Sequence, residues 1–210
     1  MTRRLVQLYA GLALYGVSLA LLVRADLGLD PWDVFHQGVA ERLGWSFGTV
    51  VIVTGAAVLL LWVPLRQRPG LGTVSNVVVI GLVADVGLAL VPPLASLPVR
   101  VVLLVTGIVL NAVATAAYIG ARFGPGPRDG LMTGVVARTG WSVRAVRTAI
   151  EVAVLVTGWL LGGSVGVGTV AYALAIGPLV HLLLPALAVP VRDGTAGGGG
   201  RVRRVGRSVE

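Results

Sequence analysis

The residues best equipped for chemistry form two matching groups, 96 positions apart. The first is Gly28-Leu-Asp30-Pro31-Trp32-Asp33; the second is Gly124-Pro-Gly126-Pro127-Arg128-Asp129. Each reads as the start of a helix. Proline suits the first helical position, where a missing N–H costs nothing. Asp33 and Asp129 then fall in the first turn, where the helix dipole favours a carboxylate. Asp30 can cap the first helix, and Gly126 stands in its place in the second. Gly28, Gly124, Gly126 and Gly130 allow close approach of backbone or ligand. The chemistry on offer is binding: two helix starts present N–H groups and positive dipole ends to an anionic or polar ligand. The alternative is a plain helix-start signature, its helices flat at a membrane surface with Trp32, Trp45 and Trp141 as anchors.

Three further ionisable residues stand in otherwise apolar runs: Asp85, Glu151 and His181. Such groups are costly in lipid and point to an ion or solute path. His181 is the one that titrates most readily near neutral pH. Asp85 and His181 hold equivalent places, again 96 residues apart. Each has a structural alternative. Glu151 lies four residues after Arg147 and can pair with it along one helix face. Asp85 can sit near an outer interface, and His181 can donate to a carbonyl. Tyr15, Asn76, Asn111, Tyr118 and Tyr172 add hydrogen-bonding capacity within the spans.

The elements that must position these residues follow from composition. Of 210 residues, 56% are hydrophobic and 12% charged, and mean hydropathy is +0.90. A soluble domain carries about 25% charged residues, so the solvent here is lipid. A span needs roughly 20 apolar residues. Six are expected, at about 5–23, 45–65, 71–91, 101–121, 147–162 and 168–190. Short motif helices are expected at about 31–43 and 127–139, too short to cross. Residues 5–23 exceed an ordinary signal-peptide core and lack a cleavage site, so they read as a retained helix. The Gly70-x-Gly72-Thr73 and Gly166-x-Gly168-Thr169 turns read as helical hairpins capped by threonine.

All 17 basic residues are arginine. With the N-terminus inside, 14 fall on the cytoplasmic side and three outside. That asymmetry expresses the positive-inside rule and places both termini in the cytoplasm. The net charge of +8 is therefore topology, and no nucleic-acid partner is expected. Residues 192–210 read as a flexible basic cytoplasmic tail. No hydrolase, metalloprotease or nucleotide-loop pattern occurs, and there is no cysteine. The chain is not expected to be an enzyme or to carry a metal or cofactor.

The 96-residue offset runs without a gap. Gly38/Gly134, Arg42/Arg138, Gly44/Gly140, Trp45/Trp141 and Ser46/Ser142 match in register, against about one chance identity in ten. Residues 1–95 and 96–191 are thus read as two repeats. Three spans per repeat is an odd number, so the second must be inverted relative to the first, a plan recurrent among secondary transporters.

The chain also resembles a known family. Leu27-Gly28-x-x-Pro31-Trp32-Asp33, Gly124-Pro-Gly-Pro127-Arg128-Asp129-Gly130-Leu-Met132, Arg147-x-x-x-Glu151 and Gly162-Gly163-x-x-Gly166-x-Gly168-Thr169 are similar to YczE-type bacterial membrane proteins, relatives of the YyaS and YitT groups. The resemblance covers about residues 4–190. It implies a multi-pass protein of the bacterial plasma membrane. The expected fold is an all-α polytopic membrane protein: six transmembrane helices in two inverted three-helix repeats, each with a motif helix. The expected function is secondary transport of a small solute, with a proton or cation as coupling ion and the bilayer as its setting. The alternative is a non-transporting scaffold or accessory protein that supports a biosynthetic or export system. Self-association as a homo-oligomer is compatible with either. The candidate path comprises Asp33, Asp85, Arg128, Asp129, Glu151 and His181. Its backbone frame is Gly28, Pro31, Gly124, Gly126, Pro127 and Gly130.

Overall fold

A computed structural model describes residues 1–189; the expected basic tail at 192–210 lies outside the described residues. These form eight helices and no strand. The order is α1 (Thr2–Ala25), α2 (Pro31–Leu43), α3 (Phe47–Leu65), α4 (Leu71–Leu90), α5 (Leu97–Gly120), α6 (Pro127–Thr139), α7 (Val143–Leu160) and α8 (Val167–Leu187). The first four elements recur as the last four at the 96-residue offset, to within a residue or two at each end.

Local chemistry accounts for the boundaries. Asp30 accepts from the backbone N–H groups of Trp32 and Asp33, which fixes the start of α2. Ser46 accepts from Thr49 N–H, and Ser142 from Ala145 N–H, starting α3 and α7. Glycine in the left-handed region ends both short helices, at Gly44 and Gly140. The turns before α4 and α8 differ in detail from the sequence expectation. Gly70 and Gly166 occupy the capping position, and Thr73 and Thr169 reach back to accept from their N–H groups.

Five helices are long and apolar enough to cross a membrane: α1, α3, α4, α5 and α8. The fifth of the six expected spans is the exception. Its helix, α7, begins at the Ser142 cap rather than near Arg147. It therefore carries Arg144, Arg147 and Glu151 within 18 residues, too many charges for an unassisted apolar span.

The helices α1 and α5 form the centre of the molecule and pack along each other; α4 lies against α1, and α8 against α5. Two arginines tie the central pair at opposite ends. Arg4, at the start of α1, donates to the carbonyl oxygens of Ala121 and Arg122, beyond the end of α5. Arg100, at the start of α5, donates to those of Ala25 and Asp26, at the end of α1. The two helices therefore run antiparallel. Leu8, Leu12, Leu19, Ile80, Ala84 and Tyr118 fill one cluster beside this pair. Leucines and valines on the outer faces of α4 and α8 stay exposed, Leu82, Val86, Leu174 and Leu182 among them. Lipid tails are as apolar as these side chains, so association rests on shape rather than on escape from water.

The closest such fit joins α3 to α6. The ring of Trp62 packs directly against Gly130, and its Nε1–H donates to Pro127 O at 3.1 Å. A methyl group at position 130 would overlap the ring at its Cζ2 atom. Gly130→Ala should lower stability by about 1–3 kcal/mol, the usual cost of overpacking, read as a lower unfolding temperature in detergent. Adding Trp62→Phe should recover part of the loss. An unchanged unfolding temperature in the single variant would show that this fit does not hold α6 in place.

Candidate functional site

The site is built where the two motif loops turn inward. Residues 26–30 leave the end of α1, and residues 121–126 leave the end of α5. Those ends are at opposite extremes of the central pair. A helix of 24 residues is about 36 Å long at 1.5 Å per residue. A loop of five or six residues reaches at most about 20 Å. Yet Arg128, at the start of α6, lies 3.4 Å from Asp33 and 3.5 Å from Asp30, at the start of α2. The contact requires both loops to run inward, so that α2 and α6 begin near half depth.

Glycine makes that course possible. Gly28 has φ +106° and Gly124 φ +118°, a region closed to most side chains. Each loop is then held by backbone hydrogen bonds to the turn of the other half. Gly168 N–H donates to Leu27 O at 2.7 Å. In the equivalent place, Gly72 N–H donates to Phe123 O at 2.9 Å. The buried Thr73 hydroxyl also donates to Pro125 O at 2.7 Å.

Where the helix starts meet, the side chains form a charged cluster. Asp30 is 3% exposed, Asp33 1% and His36 3%. Asp33 Oδ1 stands 3.0 Å from His36 Nδ1, one turn along α2, and also receives the Arg128 guanidinium. That guanidinium lies over the Trp32 ring, 5.1 Å from its centroid. Positions 32 and 128 are equivalent by the offset, so the two copies touch at the same place in the motif. Burying two carboxylates is affordable only with a partner charge, and Arg128 supplies one. Even so, Asp30 Oδ2 and Asp33 Oδ2 are buried and have no partner among the described residues.

Beside the cluster lies a cavity of about 470 Å³. Its wall takes Asp30, Pro31 and Trp32 from one motif and Gly126, Pro127 and Arg128 from the other. Asp33 sits behind it. Tyr15, Tyr118 and Tyr172 supply aromatic surface. Tyr172 is fixed by a chain of hydrogen bonds across three helices: its hydroxyl donates to Asn111 Oδ1 at 2.8 Å, and Asn111 Nδ2 donates to Ser18 Oγ at 2.9 Å. Among the described residues, no cluster of three or more ionisable side chains could hold a metal ion.

The family model described as a family of unknown function (DUF6198) matches residues 2–185. The chain belongs to that family. It is similar to an uncharacterized protein of Haemophilus influenzae, 38% identical over 177 residues, covering 84% of this chain and 81% of that one. It is also similar to the uncharacterized membrane protein YczE of Bacillus subtilis, 33% identical over 180 residues, with 84% and 83% covered. The uncharacterized protein YyaS of the same organism is 24% identical over 179 residues. The YczE-type resemblance carried by the motifs is therefore correct, and with five apolar helices the chain is a membrane protein. No solved structure matches it.

The residues singled out in this DUF6198 chain divide into those the fold assembles and one it sets apart. Arg128, Asp129, Glu151 and His181 line the cavity, and Asp33 backs it. Glu151 accepts from Arg147 Nε at 2.9 Å, the same-face pair that the spacing allowed. Asp85 is not in the wall. It accepts from Ser46 Oγ at 2.5 Å and Gly48 N–H at 2.7 Å, so it holds the start of α3 against α4. The helix starts also depart from a simple anion site, because Asp30 already takes the first N–H groups of α2. Sequence reasoning gave Asp30 only a capping role and passed over His36. The i, i+3 spacing of Asp33 and His36 was the available signal.

Removing the cation from this cluster has a definite consequence. Arg128→Gln should destabilise the protein, by less than the roughly 3–5 kcal/mol of a fully buried broken pair, because the Arg128 side chain is 31% exposed. Arg128→Gln/Asp33→Asn should be more stable than Arg128→Gln alone. Unfolding temperatures of the two single variants and the double variant measure this; strict additivity would mean that the charges do not support each other.

Proposed function

We propose that this protein is a secondary transporter, permease-like in plan, for a small solute in the bacterial plasma membrane. The reading takes residues 1–95 and 96–191 as inverted three-helix repeats and places both termini in the cytoplasm. The observation that carries it is the cavity of about 470 Å³ walled by the starts of both motif helices. In inverted-repeat transporters, substrate sites lie at the repeat interface near the midplane, framed by half-helix ends. A scaffold or accessory protein would call for a filled interior and a docking face.

A difference between the halves supports the same reading. In the first half, α3 packs along α4. Gly48 and Gly81 meet backbone to backbone, and Asp85 ties the ends. In the second half, α7 and α8 do not pack along each other. Gly177, the equivalent of Gly81, faces open space, and His181, the equivalent of Asp85, is exposed at the cavity wall. With the N-terminus inside, the closed pair faces outward and the parted pair faces the cytoplasm. Alternating access then exchanges these arrangements: α7 closes on α8, and α3 parts from α4. The cavity faces each side in turn.

The native chain has no cysteine, which makes labelling direct. A cysteine at Arg68 should react with an impermeant maleimide only in inside-out vesicles, and one at Ala95 only in intact cells. A cysteine at Gly177 should react from the cytoplasmic side, and one at Gly81 from neither. Equal labelling of positions 81 and 177 from one side would end the alternating-access reading. In proteoliposomes, a panel of labelled amines, amino acids, sugars and organic acids should include one class taken up saturably. That uptake should fall at least about tenfold with Asp129→Asn or Glu151→Gln. No saturable uptake of any class would refute transport.

A further inference from the structure

We propose that the cavity binds a small organic cation, its positive charge at the carboxylates of Asp30 and Asp129 and its hydrocarbon body against the tyrosines. This names the solute class of the transporter proposed above and rests on that reading.

The charges around the cavity do not balance. Four carboxylates stand in or directly behind its wall: Asp30, Asp33, Asp129 and Glu151. Two guanidiniums face them, Arg128 and Arg147. Both are occupied, Arg128 by Asp30, Asp33 and the Trp32 ring, and Arg147 by Glu151. Among the described residues Asp129 forms no ion pair. With all four carboxylates ionised, they outnumber the two guanidiniums by two negative charges. Asp30, in the wall, keeps an Oδ2 atom with no hydrogen-bond partner among the described residues, an acceptor open to a donor or a positive charge.

The features that favour an anion are already used. Asp30 Oδ1 holds the first N–H groups of α2. At the start of α6, Asp129 places its own carboxylate beside Gly126 in the first turn, where it answers the dipole of that helix. An anionic solute would meet this negative excess, and among the described residues each guanidinium in the wall already faces a carboxylate.

The cavity also sets the size and character of the cation. A volume of about 470 Å³ is within the range of small-molecule pockets and far larger than a bare metal ion needs. Tyr15, Tyr118 and Tyr172 line it together with Val58, Ile80 and Ile176. Aromatic faces attract an ammonium group, and the aliphatic side chains suit a hydrocarbon body.

Three probes of one shape and different charge test this: phenethylamine (a cation near neutral pH), phenethyl alcohol and phenylacetate. Binding to the full chain, purified in detergent, is measured by calorimetry and by shift of the unfolding temperature. The amine should bind saturably, the alcohol at least about tenfold more weakly, and phenylacetate not at all. Asp129→Asn should weaken amine binding at least about tenfold, the scale of one lost charge-assisted contact. Asp30→Asn should do the same where it folds, and Glu41→Gln, on the exposed face of α2, should leave binding unchanged. Equal binding of amine and alcohol, preferred binding of phenylacetate, or no binding of any probe would overturn the proposal. A protein that binds the amine but never moves it across a liposome membrane would keep the cation site and remove transport. One that carries an anion would do the reverse.

Discussion

The structure depends on one contact: the guanidinium of Arg128 set between Asp30 and Asp33. Charge buried in a protein, and still more within a bilayer, must find a partner. Two short helices that enter from opposite ends of the central pair can share that partner only if both begin at half depth. The inward course of both loops, the positive φ of Gly28 and Gly124, and the exchange of backbone hydrogen bonds between halves all serve this meeting. The cavity is the space left beside it.

The two halves use the same scaffold with different side chains. Position 32 is tryptophan and position 128 arginine, and they stack on each other. Asp30 is matched by Gly126, so one helix start has a side-chain cap and the other does not. His36 is matched by Met132. Divergence at these places turns a symmetrical frame into a polarised site: α2 carries the acids, and α6 carries the arginine and a further acid. A strictly symmetric pair of acidic motifs would place like charges against each other with no cation between them.

Symmetry of sequence also does not fix symmetry of packing. Gly81 and Gly177 are the same residue in the same place, but one presses on Gly48 and the other meets nothing. Asp85 and His181 are equivalent by register, but one ties two helices together and the other lines a cavity. The register does not record which helix pair is closed.

Sequence alone determined the lipid environment, the eight helical segments and the 96-residue register, because hydrophobic run length and helix-start residues act locally. It marked Asp33, Arg128 and Asp129 through the motif, and it allowed the Arg147–Glu151 pair through helical spacing. Only the tertiary structure decided that Asp30 is more than a cap, that His36 joins Asp33 and Arg128, and that Asp85 stands apart from the cavity. Those outcomes depend on which side chains face one another across residues 95 apart in the chain, and no local pattern records the distance between two loops that fold inward from opposite ends.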